Sequence, residues 1–390
     1  MITRQVSWSS MDRNELTCWL RVHLASGVGA VRFRRLLDVF GDVERISRAT
    51  ILELQGVEGI GLATAQQIHE GLRTVNPERE LELAEANGVT LITMVDPEYP
   101  ELLRQSPSPP AVLYVKGEFR PQDQLAIAIV GTRRAGRYGS EQAYRFGSLL
   151  AQAGFTVVSG LARGIDSQAH RGAIHGGGRT VAVMGAGLLN VYPPEHRGLF
   201  DEIADGHGAI LSELPMEAIP DPGNFPARNR IVAAMSMGTL VIEAPKSSGA
   251  LITAHLAADC NREVFAIPGP IDVPTFVGCN ELIKMSKAKL VMCLDDILDE
   301  FGSVSAMLKK QAQALGAPAD PQSITVRDAQ ADHLSEPERK VWDFLTAGPN
   351  DIDTICQICQ RPAAEVSSVL TMLQLKGLVK ALPGNQYGRK

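Results

Sequence analysis

Two segments of the sequence place a glycine next to groups that suit a phosphate ligand. Gly131 is followed directly by Thr132 and Arg133. A second glycine, Gly160, precedes Arg163 by three residues. Glycine lets the backbone approach a ligand closely, while a hydroxyl, a guanidinium group and the free amides of a helix start can together hold a phosphate. A tight turn with solvated arginines is the alternative interpretation of the first segment.

A third segment, which begins at Phe225, combines an aromatic ring with two guanidinium groups and an amide. Arg228 and Arg230 can neutralise phosphates or stack on bases, and Phe225 offers a flat surface to any base. Asn229 can hydrogen-bond a base or cap a helix, which we predict over Ile231–Met237. A buried phenylalanine with salt-bridged arginines is the alternative, but beside the two cationic glycine turns the segment favours nucleic-acid binding.

Acid–base chemistry is the other function that single residues suggest. Glu243 is the best candidate for a catalytic carboxylate, but no partner base accompanies it. The stretch that follows, with Lys246, is either a further anion site or an ordinary helix cap. Asp166 and His170 are spaced to share one helical face, where helix capping is favoured over acid–base catalysis. We therefore assign no catalytic residue.

The sequence does not indicate a cofactor or a metal ion. Gly185 and Gly187 begin like a dinucleotide-binding turn, but Asn190 stands where the third glycine would be. Cys356 and Cys359 have the spacing of zinc ligands, yet no second pair lies nearby, so packing on one helical face is favoured. The prediction is a protein with no cofactor and no metal site.

The elements that must position these groups are short apolar strands that alternate with helices. We predict seven strands, at Ala126–Val130, Phe155–Val158, Thr180–Met184, Ala209–Leu211, Thr239–Ile242, Val264–Ile267 and Lys289–Cys293. This pattern indicates an α/β fold with a mostly parallel, Rossmann-like sheet that is covered on both faces. The carboxyl ends of such strands share one edge, where open sheets bind ligands. We expect the glycine turns and the segment at Phe225 to meet there and to form a channel for a phosphate chain.

Length and composition set the domain organisation. A chain of 390 residues, 45% hydrophobic and 21% charged, is globular but too long for one ordinary core. Its formal charge of −6 argues against a wholly basic nucleic-acid coat and leaves room for a local basic groove. We divide the chain into a SAM-like or helix-hairpin-helix-like domain (1–75), a connecting segment (76–121), the Rossmann-like domain (122–300), a linker (301–333) and a winged-helix-like domain (334–390).

The cellular location follows from three further observations. Six cysteines form no regular disulfide framework, which indicates a reducing compartment. Residues 1–11 lack the apolar run of a signal peptide, and no stretch reaches the roughly 18 apolar residues that a membrane helix needs. We expect a cytoplasmic protein that makes no membrane contact.

The flanking domains carry weaker signals for DNA. Leu54–Gly61 and Ser26–Gly29 resemble the turns of helix-hairpin-helix motifs, whose amides can meet a phosphate, but Glu58 would repel one, and a protein-contact role is favoured. The tail, with helices predicted at Glu338–Leu345, Ile352–Cys359 and Ala363–Leu375 and a hairpin from Leu378 to Tyr387, resembles a winged helix. Its third helix has no basic residue, so partner docking is favoured over groove recognition.

Taken in order, the central motifs resemble the DNA-processing family DprA, also called Smf, over residues 90–300. The shared motifs are Asp96–Pro100, Gly131–Arg133 with Tyr138-Gly139, Ser159–Asp166 with Ala169-His170, Thr180–Gly187 with Tyr192-Pro193, Ser212-Glu213, Phe225–Ile231, Glu243, Ser248-Gly249 with Leu251–Ala254, Val264–Gly269 and Gly278–Ile283. So many motifs in one order are highly specific.

The resemblance implies a protein that binds and protects incoming single-stranded DNA and loads the RecA recombinase in natural transformation, without catalysis. It also implies a homodimer formed through the Rossmann-like domain, with a single-strand-binding protein as a further partner. The implied DNA contacts are Arg133, Phe225, Arg228 and Asn229, then Arg163, Arg230 and Lys246, beside the turn residues Gly131, Thr132 and Gly160.

Two departures from the family pattern and one alternative function remain. Pro194-Glu195-His196 stands where many members have a basic residue or asparagine, and Met285–Ala288 stands where most have Gly-Ala. The alternative is a Rossmann-like nucleotide-processing enzyme of the phosphoribohydrolase type. Such enzymes often carry a Pro-Gly-Gly-x-Gly-Thr run with a following glutamate, and this sequence has no such run. Turnover of free nucleotides that Glu243→Gln abolishes would favour the enzyme.

Overall fold

The computed structural model describes residues 11–302 and 334–389, except for 346–347, 349, 360, 376–377 and 383–385. The chain divides into two compact units, Met1–Pro321 and Gln322–Lys390. Nearly all of the predicted linker, from residue 303 to residue 333, lies outside the described residues, as do residues 1–10 of the segment compared with a signal peptide.

The first unit begins with a group of helices. They are α1 (Arg13–Leu24), α2 (Ala30–Phe40), α3 (Val43–Ser47), α4 (Ile51–Gln55), α5 (Leu62–Thr74) and α6 (Pro77–Ala86). Gly27, between α1 and α2, and Gly59, between α4 and α5, both have positive φ, at 85° and 81°. These are left-handed turn positions that glycine occupies without strain. Both glycines lie in the two predicted hairpins. In the core beside them, the Trp19 ring stacks on the Phe33 ring, with 5.2 Å between the ring centroids.

A nine-stranded sheet forms the centre of the described part of this unit. Its strands are β1 (Val89–Thr93), β2 (Val112–Gly117), β3 (Ala126–Val130), β4 (Thr156–Ser159), β5 (Thr180–Val183), β6 (Gly208–Ser212), β7 (Gly238–Val241), β8 (Glu263–Ala266) and β9 (Lys289–Leu290). The spatial order is β1-β2-β6-β5-β4-β3-β7-β8-β9. β1, β2 and β6 pair antiparallel, and every other pair is parallel. The predicted mostly parallel sheet is confirmed.

Two of these strands come from the stretch that the sequence indicates as a connection. β1 and β2 lie within residues 76–121 and extend the sheet by antiparallel pairing. Three prolines, Pro107, Pro109 and Pro110, lie between the two strands, where no ladder amide is needed. The prediction of seven strands therefore missed a hairpin-like extension at one end of the sheet.

Helices cover both faces of the sheet. They are α7 (Glu101–Arg104), α8 (Arg137–Gln152), α9 (Ile165–His175), α10 (Arg197–Glu202), α11 (Asn224–Ala234), α12 (Gly249–Asp259), α13 (Val277–Lys284) and α14 (Asp295–Leu298). Alternate residues of β3 point to opposite faces: Ala128 packs in the core with α11 and α12, whereas Ile127 and Ile129 pack with α8 and α9. A strand buried on both faces explains the continuous apolar run that predicted it.

The start of α11 differs from the prediction. The helix runs over Asn224–Ala234 rather than Ile231–Met237, so the segment at Phe225 lies within its first turns. Pro226 does not prevent this, because the first amides of a helix have no partner within the helix. Asn229 is consequently an interior residue of the helix and not its cap.

The described part of the second unit contains three helices (Glu336–Phe344, Ile352–Cys359 and Ala363–Leu375) and three short strands, β10 (Asn350–Asp351), β11 (Val379–Leu382) and β12 (Gln386–Arg389). The strands pair antiparallel in the order β10-β12-β11. Cys356 and Cys359 pack against the small core of this unit, as predicted. Across the described residues, no group of three or more histidine, cysteine, aspartate or glutamate side chains is arranged to hold a metal ion.

Among the described helices, none combines the length and the apolar character that crossing a membrane requires.

Candidate nucleic-acid interface

The loop after β3 is held close to the sheet by its glycine. A Cβ at Gly131 would overlap the Ile165 side chain and lie 2.9 Å from the Glu243 carbonyl oxygen. The next amide, of Thr132, donates to that same carbonyl at 2.7 Å. The Thr132 hydroxyl accepts a hydrogen bond from the Arg134 amide at 3.2 Å, which tightens the turn. The Arg133 side chain is left exposed at the carboxyl edge of the sheet.

Two arginines and two aromatic rings form a continuous row at this edge, which we call the cationic–aromatic row. The Arg133 guanidinium carbon lies 4.9 Å from the Phe225 ring centroid. The Phe225 and Tyr192 rings follow at 5.6 Å with an angle of 41° between them. The Arg163 guanidinium carbon lies 5.9 Å from the Tyr192 centroid. The cations sit at distances typical of cation–π contacts, so each ring is flanked by a positive charge.

The row borders a cleft of about 530 Å³ at the carboxyl edge. Its lining comes from the loops after β3, β4 and β7, from Tyr192 and from α11 and α12. The lining residues are Val130, Gly131, Thr132, Arg133, Arg134, Ala162, Asp166, Tyr192, Pro222, Phe225, Pro226, Arg228, Asn229, Pro245, Ser248, Gly249, Ala250 and Thr253. A smaller hollow beside it is lined by Gly160 and Arg163, together with Arg133, Phe225 and Arg228.

Arg228 forms part of the floor of the cleft and is only 5% exposed. Its guanidinium group donates to the Gly160 carbonyl at 2.6 Å and to the Val183 carbonyl, so it ties the end of β4 to the end of β5. Burial lowers the pKa of Arg228 to about 10, and the negative charge of Asp166 opposes that shift. A Cβ at Gly160 would lie 2.5 Å from this guanidinium group, which explains the glycine there.

The loop after β4 is fixed by an acid and two imidazoles. The Asp166 carboxylate accepts hydrogen bonds from the amides of Gly160 at 3.1 Å and Ala162 at 3.4 Å. His170 Nε2 accepts from the Leu161 amide at 3.3 Å, and His196 Nδ1 donates to the Leu161 carbonyl at 2.8 Å. Asp166 and His170 thus each bind the backbone of the loop that precedes α9. The helix capping predicted for them is wrong, because the cap residue of α9 is Gly164 and no side chain bonds to its first amides.

Burial shifts the pKa values of Asp166 and His170 in opposite directions. It raises the pKa of Asp166, against the opposing effect of the Arg228 charge. It lowers the pKa of His170 to about 3. Since His170 Nε2 accepts a hydrogen bond from the Leu161 amide, the imidazole is neutral and its own proton sits on Nδ1, directed at the Thr180 hydroxyl at 2.6 Å.

Glu243 is also a structural anchor. Its carboxylate is 1% exposed, and both oxygens accept from the Gly136 amide, at 3.2 and 3.0 Å. It therefore holds the loop that leads into α8.

The remaining predicted contacts divide between the cleft and other surfaces. Asn229 lines the cleft, and its amide oxygen accepts from Arg228 Nε at 3.2 Å. Arg230 does not line it: the guanidinium group pairs with Glu213 and donates to the Ser108 carbonyl at 2.6 Å. Lys246 is exposed, lies outside the lining and pairs with Glu281 at 3.3 Å.

Tyr192 is the main site residue that residue-by-residue reasoning missed. It lies late in the loop after β5, beyond the glycine turn at Gly185 and Gly187, and no cation stands next to it in the sequence. The available signal was its membership of the Tyr192-Pro193 motif, which the family resemblance includes.

A Rossmann-like sheet with a cationic and aromatic carboxyl edge, preceded by helical hairpins and followed by a winged-helix unit, defines a three-part class of α/β protein. The family model of DNA recombination-mediator protein A matches residues 90–302, the DprA winged helix domain matches 325–385, and a SAM-like helix-hairpin-helix tandem matches 24–74. The chain belongs to the DNA recombination-mediator protein A family, also known as DprA or Smf. The predicted family and the predicted flanking domains are thereby confirmed.

Known relatives extend this match over almost the whole chain. Protein Smf of Synechocystis is 36% identical over 97% of this chain and 100% of its own length. Protein Smf of Escherichia coli is 37% identical over 73% of this chain and 74% of its own length. The X-ray structure of DprA from Streptococcus pneumoniae superposes with a TM-score of 0.63 at 29% identity, covering 74% of this chain and 98% of that one.

Proposed function

We propose that this protein binds single-stranded DNA along the carboxyl edge of its sheet. The cationic–aromatic row is the observation that carries the proposal. Phe225 and Tyr192 offer faces on which bases of any sequence can stack, and Arg133 and Arg163 supply the charge that phosphates need. Bases inside a duplex are stacked on one another, so the row favours single strands.

The proposal assigns no catalytic residue. Glu243 binds the Gly136 amide, while Asp166 and His170 bind backbone amides of the loop after β4. These contacts support structural roles for the three groups that acid–base chemistry would need. The protein then acts by holding a strand rather than by converting one.

We further propose that the bound strand is protected and delivered to the RecA recombinase in natural transformation, in the cytoplasm, with a single-strand-binding protein as a further partner. The family's description as recombination mediators supports delivery to a recombinase. A homodimer is part of the proposal. β9 ends the sheet, and the apolar side chains of Met285 and Met292 beside it are 60% and 69% exposed.

Titration of labelled oligothymidine and of duplex DNA at two salt concentrations tests the binding proposal. We expect Phe225→Ala to cost about 1–3 kcal/mol of single-strand binding free energy, because a stacked base loses its platform. Arg133→Ala should reduce the salt dependence by about 0.7 log unit, the value of one phosphate contact.

Arg120→Ala is the matched control for Arg133→Ala. Arg120 is exposed, pairs with Glu118 and precedes β3, at the opposite edge of the sheet. Its loss should leave affinity and salt dependence unchanged. If Phe225→Ala lowered thermal stability but not affinity, the ring would be a core residue and the row would not be the binding surface.

A further inference from the structure

A second hollow opens at the same edge of the sheet, on the other side of the β3–α8 loop. It has a volume of about 610 Å³. The loops after β3 and β8 and the first turn of α8 form its walls. The lining residues are Gly136, Arg137, Tyr138, Gly139, Glu243, Pro268, Gly269, Pro270, Val273, Thr275 and Phe276.

Two aromatic rings line the walls of this hollow, and two glycines without Cβ atoms leave room for it. Tyr138, which is 45% exposed, lies 5.8 Å from the Phe276 ring at an angle of 60°. A Cβ at Gly269 would overlap the Phe276 ring, and a Cβ at Gly139 would overlap the Glu243 carboxylate. The two glycines thus allow an aromatic wall and a carboxylate to approach the same space.

The carboxylate determines which part of a nucleotide can enter. Glu243 is buried and lines the hollow, and the Gly136 amide occupies only part of the acceptor capacity of its two oxygens. A buried carboxylate repels a phosphate and accepts N–H groups. The hollow therefore suits a planar ring that carries N–H donors rather than an anion.

The hollow adjoins the cleft along the chain. Arg134 lines the cleft and Arg137 lines the hollow. Three residues span at most about 11 Å between Cα atoms, so a strand that occupies the cleft can continue over the loop into the hollow.

We propose that the hollow binds one unstacked base of the DNA strand held in the cleft, with a preference for bases that carry an amino group. This inference rests on the proposed single-strand binding. Adenine, cytosine and guanine each present an exocyclic amino group, whereas thymine presents carbonyl oxygens at the corresponding positions. Carbonyl oxygens facing Glu243 are unfavourable, and an amino group facing it gains a charge-assisted hydrogen bond. The protein thus discriminates weakly between bases at one position of the bound strand.

Homopolymers of deoxycytidine and deoxyuridine test the preference, because the two bases differ only in an amino group that replaces a carbonyl and in the neighbouring ring proton. With the full-length protein, we expect the deoxycytidine oligomer to bind at least about fivefold more tightly, the lower end of what one base contact contributes. Glu243→Gln retains an acceptor for the Gly136 amide and should abolish the difference between the two oligomers.

Tyr138→Ala is a second variant that leaves the hydrogen bond between Glu243 and the Gly136 amide in place. The Tyr138 side chain is half exposed, so its removal should disturb the fold little. The variant should also abolish the preference, whereas Ile271→Ala should not. Ile271 is 91% exposed in the neighbouring loop and does not line the hollow. Equal affinities of the wild-type protein for both oligomers, still weakened by Phe225→Ala, would overturn the base site and leave the cleft in place. Failure to bind either oligomer would overturn both.

Discussion

At the scale of single residues, access to water separates the arginines of the site into two roles. Arg133 and Arg163 hold their guanidinium groups at the surface beside aromatic rings. The Arg228 guanidinium is buried in the floor of the cleft and donates to two strand-end carbonyls. The surface pair can exchange its partners for phosphates, whereas loss of Arg228 would leave buried carbonyls without donors.

Glu195 competes with DNA for one of these cations. Arg163 and Glu195 are each about half exposed and pair at 2.5 Å, and this hydrogen bond lowers the pKa of Glu195. Exposed ion pairs contribute little stability, so a phosphate can displace the carboxylate. We expect Glu195→Gln to strengthen binding of oligothymidine and to steepen its salt dependence by up to about 0.7 log unit.

The matched control is Glu118→Gln, which removes the same charge from the exposed Arg120 pair. It should leave binding unchanged. Weaker binding by Glu195→Gln would show that the carboxylate orients Arg163 for DNA rather than competing with it.

Residue types were predictable from the sequence, but side-chain direction was not. The sequence shows which residues can bind a phosphate, and most of them do line the cleft. It does not show that Arg228 turns inward or that Arg230 pairs with Glu213, because both outcomes depend on contacts with distant strands and loops. Tyr192 reaches the row only through its tertiary contact with Phe225.

At the scale of elements, the loop between β4 and α9 is held in a costly conformation. Leu161 has φ of 56°, in the left-handed region that a leucine rarely adopts. Such a conformation costs on the order of 1–3 kcal/mol and persists only where surrounding contacts determine it. Here His170 binds the Leu161 amide and His196 binds its carbonyl. The loop is consequently preorganised under the row before any ligand arrives.

Two buried imidazoles, His170 against this loop and His23 in α1, make stability depend on pH. The pKa of His170 falls to about 3 and that of His23 to about 4, both mainly through burial. In the unfolded chain each imidazole takes up a proton below about pH 6.5, whereas in the folded chain each stays neutral until its lowered pKa is reached. Their contribution to stability is thus complete above about pH 6.5 and is lost as the pH falls towards 4.

We expect the free energy of unfolding by urea to fall by about 2–4 kcal/mol between pH 7 and pH 5. The raised pKa of Asp166 stabilises the folded state as the pH falls, which opposes the effect of the two histidines. We therefore expect a decrease nearer to about 2 than to about 4 kcal/mol. His170→Gln should remove about half of the fall, while a change at the exposed His255 should not affect it. Equal stability at the two pH values, or a charged His170 in NMR spectra at pH 5, would contradict this account.

The parallel strands could be predicted from the sequence, whereas the strands β1 and β2 and the start of α11 could not. Short apolar runs identified the parallel strands because both of their faces are buried. The same signal is present in β1 and β2, but the prolines Pro107, Pro109 and Pro110 between them favour a turn or a connection over a strand. The start of α11 was placed too late because Pro226 reads as a helix boundary in sequence, although the first turn accommodates it.

At the scale of the whole molecule, the end of the sheet matters for assembly. Among the described strands, β9 pairs with β8 alone, and Met292 beside it is 69% exposed. A sheet edge with exposed apolar side chains is a site for pairing between chains. We expect the protein to sediment as a dimer and Met292→Glu to sediment as a monomer at the same concentration.

Ile219→Glu is the control for that change, because Ile219 is 73% exposed on a different segment. It should leave the dimer intact. Sedimentation of the unmodified protein as a monomer at tens of micromolar would exclude a dimer of functional strength, and an unaffected Met292→Glu dimer would place the contact elsewhere.

The fit between Gly160 and the Arg228 guanidinium limits how this protein can diversify. Any side chain at position 160 would displace the group that joins two strand ends, so this position cannot be used to tune selectivity. Altered affinity for the strand has to arise at the outward-facing positions of the cleft, such as 133, 192 and 195, which can change without moving the framework. Directed evolution of the protein towards other polymers should therefore accumulate substitutions at the rim while its floor stays constant.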